Sequence, residues 1–287
     1  MGVECRVFRS IAVVLALAVG LSSTCGARAE DAFRSPDILV LGDSQLSFGA
    51  GQAFVDFFRQ NAALCGLSRD MSVGVIGVRS SSLAGFTAAS GPAKGLICDV
   101  DKTWKVNAGV YGVLKDSKNP YRQIGQGKAY QFCQKGVTPF QAMFARGYYM
   151  PRLLVMFFLG NATDRWAGNP ADAMEDVRRT MHDLPPDLPC IFMTTAPAYD
   201  LATVRIRQRA QANIAAAFES EGRRCTFVEG YTPETIAENR GNSANFRRKP
   251  SGKVKDPYHP TEAAARQFLA LRRGELCRAI TKQMTPD

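Results

Sequence analysis

Apolar runs of strand length alternate with segments of helical period along most of the chain. Asp37–Leu41, Val73–Val78, Arg152–Leu159, Cys190–Thr195 and Cys225–Glu229 are rich in Val, Ile, Leu, Phe and Met, and most are nearly continuous, as strands buried on both faces require. Gln52–Leu64, Pro170–Asp183, Ala202–Ser220 and Pro260–Arg273 read as helices. The last of these opens on Pro260, Thr261 and Glu262, which suit a first helical turn. Strands and helices in this alternation predict an α/β domain built on a five-stranded parallel sheet.

Two stretches depart from the alternation. Gly85–Met150 is rich in Gly, Lys and Tyr and only weakly periodic, so it reads as a loop-rich insertion over the top of the sheet. A structureless loop of that length is unusual in a compact domain, so short helices and a disulfide are expected within it. At the N-terminus, Arg6 and Arg9 precede an apolar run from Ile11 to Leu21 that leads to Ala27-Arg28-Ala29. That pattern predicts a signal peptide, residues 1–29, cleaved after Ala29. The run is shorter than the roughly 20 apolar residues of a membrane-spanning helix. Cys25 is an alternative, acylated end point, but Ala27-x-Ala29 fits ordinary cleavage better than Thr24 fits a lipoprotein site. Residues 30–287 then form one domain, periplasmic or secreted, expected to act as a monomer.

Export changes how the cysteines read. Of the 8 in the chain, Cys5 and Cys25 leave with the leader, and an even set remains. Such a set in an exported protein predicts disulfides. The element assignment suggests Cys98–Cys133 within the insertion, Cys190–Cys225 between the starts of two strands, and Cys65–Cys277 between the first and last helices. The formal charge of +10 reads chiefly as solvation by scattered Lys and Arg. It also leaves room for anionic polysaccharide, anionic lipid surfaces or acidic esters as ligands. No Gly-x-x-x-x-Gly-Lys loop is present, and no nucleic-acid partner is expected.

The sharpest chemical signal is Ile38-Leu39-Val40-Leu41-Gly42-Asp43-Ser44-Gln45, a strand running into a turn that presents a serine. Ligands of open α/β sheets bind beyond the carboxyl ends of the strands, which is where Ser44 falls. A serine hydroxyl needs a neighbouring base, and the chain has 2 histidines. His182 lies late in a charged helix and reads as a surface residue. His259 lies in Asp256-Pro257-Tyr258-His259-Pro260, whose spacing lets Asp256 reach one imidazole nitrogen while the other faces a nucleophile. With so few histidines no zinc spacing exists, and no metal or cofactor is called for.

Gly-Asp-Ser after the first strand together with Asp-x-x-His-Pro-Thr near the C-terminus resembles the SGNH (GDSL-type) hydrolases. The resemblance covers residues 30–287 apart from the insertion. It implies a flavodoxin-like, three-layer α/β/α sandwich and an esterase in which Ser44 attacks the acyl carbonyl, His259 acts as base and then acid, and Asp256 orients His259. It also implies an oxyanion hole from the backbone N–H groups of Ser44 and Gly77 and the side chain of Asn161. Gly74 and Gly85 are lesser rivals to Gly77. The chain departs from the family pattern at Gln45, where the family has Leu, and at Gly160-Asn161, where it has Gly-x-Asn-Asp. Trp104, Tyr111, Tyr121 and Tyr130 would either stack on sugar rings or form a small core for the insertion, and Arg79 would either steer an anionic substrate or be solvated. The activity expected is hydrolysis of an acyl ester, O-acetyl on an envelope or extracellular carbohydrate. An O-acetyltransferase using the same site is the alternative, ahead of a non-catalytic glycan-binding protein.

Overall fold

A computed structural model describes residues 35–89, 136–144 and 149–285, and the backbone of 106–113. Six strands form one sheet: β1 Ile38–Gly42, β2 Ser72–Val78, β3 Val106–Val113, β4 Leu153–Phe157, β5 Cys190–Met193 and β6 Cys225–Val228. Their order is β3-β2-β1-β4-β5-β6. All five strands read from the sequence are present and pair in parallel, with Ile38 beside Val73 on one side and Leu153 on the other. Seen without β3, the order is the flavodoxin-like one, in which the chain runs outward from β1 to β2 and then crosses back to β4.

β3 corrects the reading of Gly85–Met150 as loops and short helices. It adds to the edge of the sheet antiparallel to β2, with a register shift between Val75 and Ile76. Helices α2 Leu83–Phe86 and α3 Pro139–Phe144 also fall in or at the border of this stretch, as expected of it. Cys98, Cys133, Trp104, Tyr121 and Tyr130 lie outside the described residues, as do residues 1–29, read from the sequence as a signal peptide.

Alternation along the strands builds two cores. Leu39, Leu41, Leu154, Met156 and Phe192 face one side, where they meet Trp166, Val177, Ile214 and Phe218 from α4 Thr163–Gly168, α5 Pro170–Asp183 and α6 Leu201–Glu221. Ile38, Val40, Val155, Ile191 and Met193 face the other, against Phe54, Phe58, Phe268 and Ile280. Those come from α1 Gly51–Asn61, α8 Glu262–Leu271 and α9 Arg273–Met284, with the short α7 Pro233–Asn239 before them. The result is three layers, α/β/α. Each fully buried aliphatic or aromatic side chain contributes about 1.5–3 kcal/mol by transfer from water.

Helix ends follow local chemistry. Asp200 accepts from the N–H of Thr203 at the start of α6, and Asn169 caps α5 with Pro170 as its first residue. Thr261 caps α8, and Glu262 sits in the first turn. The final helix read as ending near Arg273 continues instead: the chain kinks at Arg272 and runs on as α9. Two disulfides join described residues, Cys65–Cys277 and Cys190–Cys225, both as the sequence suggested. No helix among the described residues is long and apolar enough to cross a membrane.

Candidate active site

β1 ends on Gly42 because the backbone must pass close to β4 there. A Cβ on Gly42 would lie against the carbonyl of Phe157 and 2.8 Å from Cδ1 of Leu46. The chain then turns through Asp43 and Ser44 into a π-type turn, Leu46–Ala50, that leads into α1. The turn is pinned by three hydrogen bonds: Asp43 N–H to the Phe157 carbonyl at 3.3 Å, Leu46 N–H to the Asp43 carbonyl at 3.1 Å, and Gln45 N–H to Oδ1 of Asp43 at 2.9 Å. Asp43 is buried, and burial pushes its carboxyl above the usual range, against the bond from Gln45 and the charge of Arg207.

The opposite wall comes from the segment before α8. Ser44 Oγ lies 2.7 Å from His259 Nε2. On its other side His259 Nδ1 is 2.8 Å from Oδ2 and 2.9 Å from Oδ1 of Asp256. A proton on Nδ1 shared with the carboxylate leaves the Nε2 lone pair facing the serine hydroxyl. Asp256 also accepts from the N–H groups of Tyr258 and His259 and from Arg247 at 2.7 Å. Burial alone would raise its pKa. The bonds from Arg247, Tyr258 and His259 outweigh it and hold the carboxyl below its ordinary range. The imidazole packs on Phe48, ring centroids 4.6 Å apart.

Gln45, where the chain departs from the family's Leu, has a structural role that the motif alone does not reveal. Its buried amide donates to the carbonyls of Ala196, at 3.2 Å, and Tyr258, at 3.0 Å, and accepts from the N–H of Ala196 at 3.1 Å. One side chain thus ties the serine turn to the loop after β5 and to the segment carrying His259. A polar residue with no partner in sequence was the available signal.

A cavity of about 360 Å³ opens over Ser44 and His259, lined also by Asp43, Gln45, Phe48, Arg79, Ser80, Gly160, Asn161, Arg207 and Tyr258. Asn161 stands just beyond β4, where its Nδ2 donates to the Ser81 carbonyl at 2.8 Å and so joins the β4 and β2 loops across the cavity. Gly77 is not at the cavity. It lies inside β2, level with Gly42, and a Cβ there would meet the backbone of Ser47 at 2.8 Å. Gly74 is further back in the same strand, and Gly85 lies in α2; neither lines the cavity. The residues just after β2 that reach it are Arg79 and Ser80, the latter in the left-handed region at φ 59°. A serine there carries no glycine signature in the sequence. His182 is exposed and pairs with Asp183 at 2.9 Å, away from these residues.

No protein-family model and no curated protein matches the chain. Among solved structures, a Clostridium thermocellum family 3 carbohydrate esterase is similar at 13% identity, covering 86% of this chain and 100% of that one, with a TM-score of 0.41. A family two carbohydrate esterase from the same organism, in complex with cellohexaose, is similar at 13% identity over 88% of this chain and 66% of that one, TM-score 0.42. A DUF4886 family protein from Bacteroides uniformis ATCC 8492 is similar at 14% identity over 88% of each chain, TM-score 0.44.

Proposed function

We propose that this chain is an exported serine ester hydrolase of SGNH type, acting on an acyl ester whose preferred form is O-acetyl on an envelope or extracellular carbohydrate. The observation that carries the reading is the hydrogen-bonded line Ser44–His259–Asp256, assembled from opposite ends of the sequence at the carboxyl end of β1. The two disulfides suit an exported protein.

In this reading Ser44 Oγ forms a bond to the acyl carbon as its proton passes to His259 Nε2. Asp256 keeps the imidazole in the required tautomer and stabilises the imidazolium. The tetrahedral oxyanion collapses, and the departing alcohol oxygen takes the proton from His259. Water then adds to the acyl-serine with His259 again as base, and collapse returns the proton to Ser44 and frees the acid. The oxyanion needs preorganised donors, each worth about 10²–10³ in kcat. Ser44 opens the helical turn, where a backbone N–H has no intrahelical acceptor. With it we assign the N–H of Ser80, in place of Gly77, and the second amide N–H of Asn161.

The test is turnover of an aryl acetate by the purified protein beside Ser44→Ala and His259→Ala. Both variants fall by several powers of ten, about 10³ or more, if the triad carries the reaction. Wild-type rates in either variant would remove the triad. Acetate release from acetylated glycans, with and without acceptor sugar, separates hydrolysis from acyl transfer.

A further inference from the structure

We propose that the ester taken up at Ser44 carries a carboxylate, bound by the guanidinium groups of Arg79 and Arg207. The inference rests on reading the cavity as an ester-hydrolase site, and adds the charge class of its substrate. Arg79 lies one residue beyond β2 and Arg207 in the second turn of α6; both line the cavity with Ser44 and His259. A guanidinium keeps its charge at any ordinary pH and offers five N–H donors in a planar fork that matches a carboxylate.

Neither has an acceptor for its Nε–H among the described residues. Arg79 packs its Cζ 4.3 Å from the Phe48 ring and forms no ion pair among the described residues, and its buried Nε has no hydrogen-bond partner. Arg207 is only 5% exposed. It donates to the Tyr231 hydroxyl at 3.3 Å and lies 5.6 Å from the Tyr258 ring, yet its buried Nε is also without a partner. Its acidic neighbour is Asp43, the carboxyl that burial drives toward the neutral form. A third guanidinium, Arg247, stacks 4.7 Å from the same Phe48 ring while paired to Asp256. Both guanidiniums line the cavity, and a carboxylate held there accepts charge-assisted, bidentate bonds from N–H groups of this kind. The site therefore meets a substrate with positive potential from two lining guanidiniums.

The carboxylate belongs either to the acyl group or to the alcohol, as in an acylated acidic sugar, and matched ester pairs distinguish them. The purified protein is assayed on 4-acetoxybenzoate against 4-acetoxybenzamide, with the charge on the alcohol. It is assayed also on mono-4-nitrophenyl adipate against 4-nitrophenyl hexanoate, with the charge on the acyl chain. In at least one pair the charged ester has the higher kcat/KM by about tenfold or more, the effect of a charge-assisted bond, and added salt erodes the preference. Arg79→Gln abolishes the preference, and Arg79→Lys, which keeps the charge, retains part of it. Equal turnover of charged and neutral esters in both pairs, or a preference untouched by Arg79→Gln, overturns the proposal while leaving the hydrolase reading intact. A protein that turns over none of the four esters removes the hydrolase reading itself.

Discussion

Asp256 concentrates four interactions on one carboxylate: the imidazole it orients, two backbone N–H groups, and Arg247. Because these hold its folded-state pKa below the ordinary value, it contributes stability above the unfolded carboxylate range, about pH 3.9. That contribution is lost as pH falls through the depressed folded value. Asp256→Asn is therefore less heat-stable than wild type at pH 7, and the gap in Tm closes in acid below the usual carboxylate range, as thermal melts across that interval would show. A gap independent of pH would mean that the residue acts by shape alone. The hydrogen-bonded line Ser44–His259–Asp256 was legible in the sequence because Gly-Asp-Ser and Asp-x-x-His are short and fixed by spacing. The place of Ser80 at the cavity was not. Its position depends on how far β2 runs before it turns, and the left-handed residue at the turn is Ser80, which composition does not mark.

Among the elements, the turn between β1 and α1 and the segment before α8 must meet to within a hydrogen bond, although residues 44 and 259 stand far apart in sequence. Gln45 spans that gap with three hydrogen bonds. Gln45→Ala leaves the Tyr258 and Ala196 groups unpaired at a cost of about 1–3 kcal/mol. It also loosens His259 relative to Ser44. The expected result is a loss in kcat larger than any change in KM, with the protein still folded by circular dichroism; unchanged kcat in a folded variant would show that other contacts set the spacing. The five parallel strands and the long helices could be read from periodicity because each buries a continuous apolar run. β3 could not, since Val106-Asn107-Ala108-Gly109 lacks such a run and its place is set by pairing with β2. α9 was missed because Arg272-Arg273-Gly274 reads as a helix end, whereas the kink there only redirects the chain.

For the molecule as a whole, the strand order places the cavity where the chain reverses direction across β1, and the two helix layers cover both faces of the sheet. Cys65–Cys277 ties residues 212 apart in sequence, linking the end of the first strand–helix unit to α9. Closing so long a loop restricts the unfolded chain, so paired Cys65→Ser and Cys277→Ser substitution costs about 2–5 kcal/mol, read as a lowered denaturation midpoint. Esterase turnover at low temperature should persist, because the bridge lies at the opposite end of the sheet from Ser44; loss of turnover with stability unchanged would place the bridge in the site's own support. Covalent trapping tests the central claim, that Ser44 is a nucleophile activated by His259. The purified protein is treated with an aryl alkylphosphonate, digested, and its adducts located by mass spectrometry. One adduct is predicted, on the peptide containing Ser44, absent from Ser44→Ala and formed far more slowly by His259→Ala. An adduct on another residue, or ester turnover that continues with Ser44 unmodified, would contradict it.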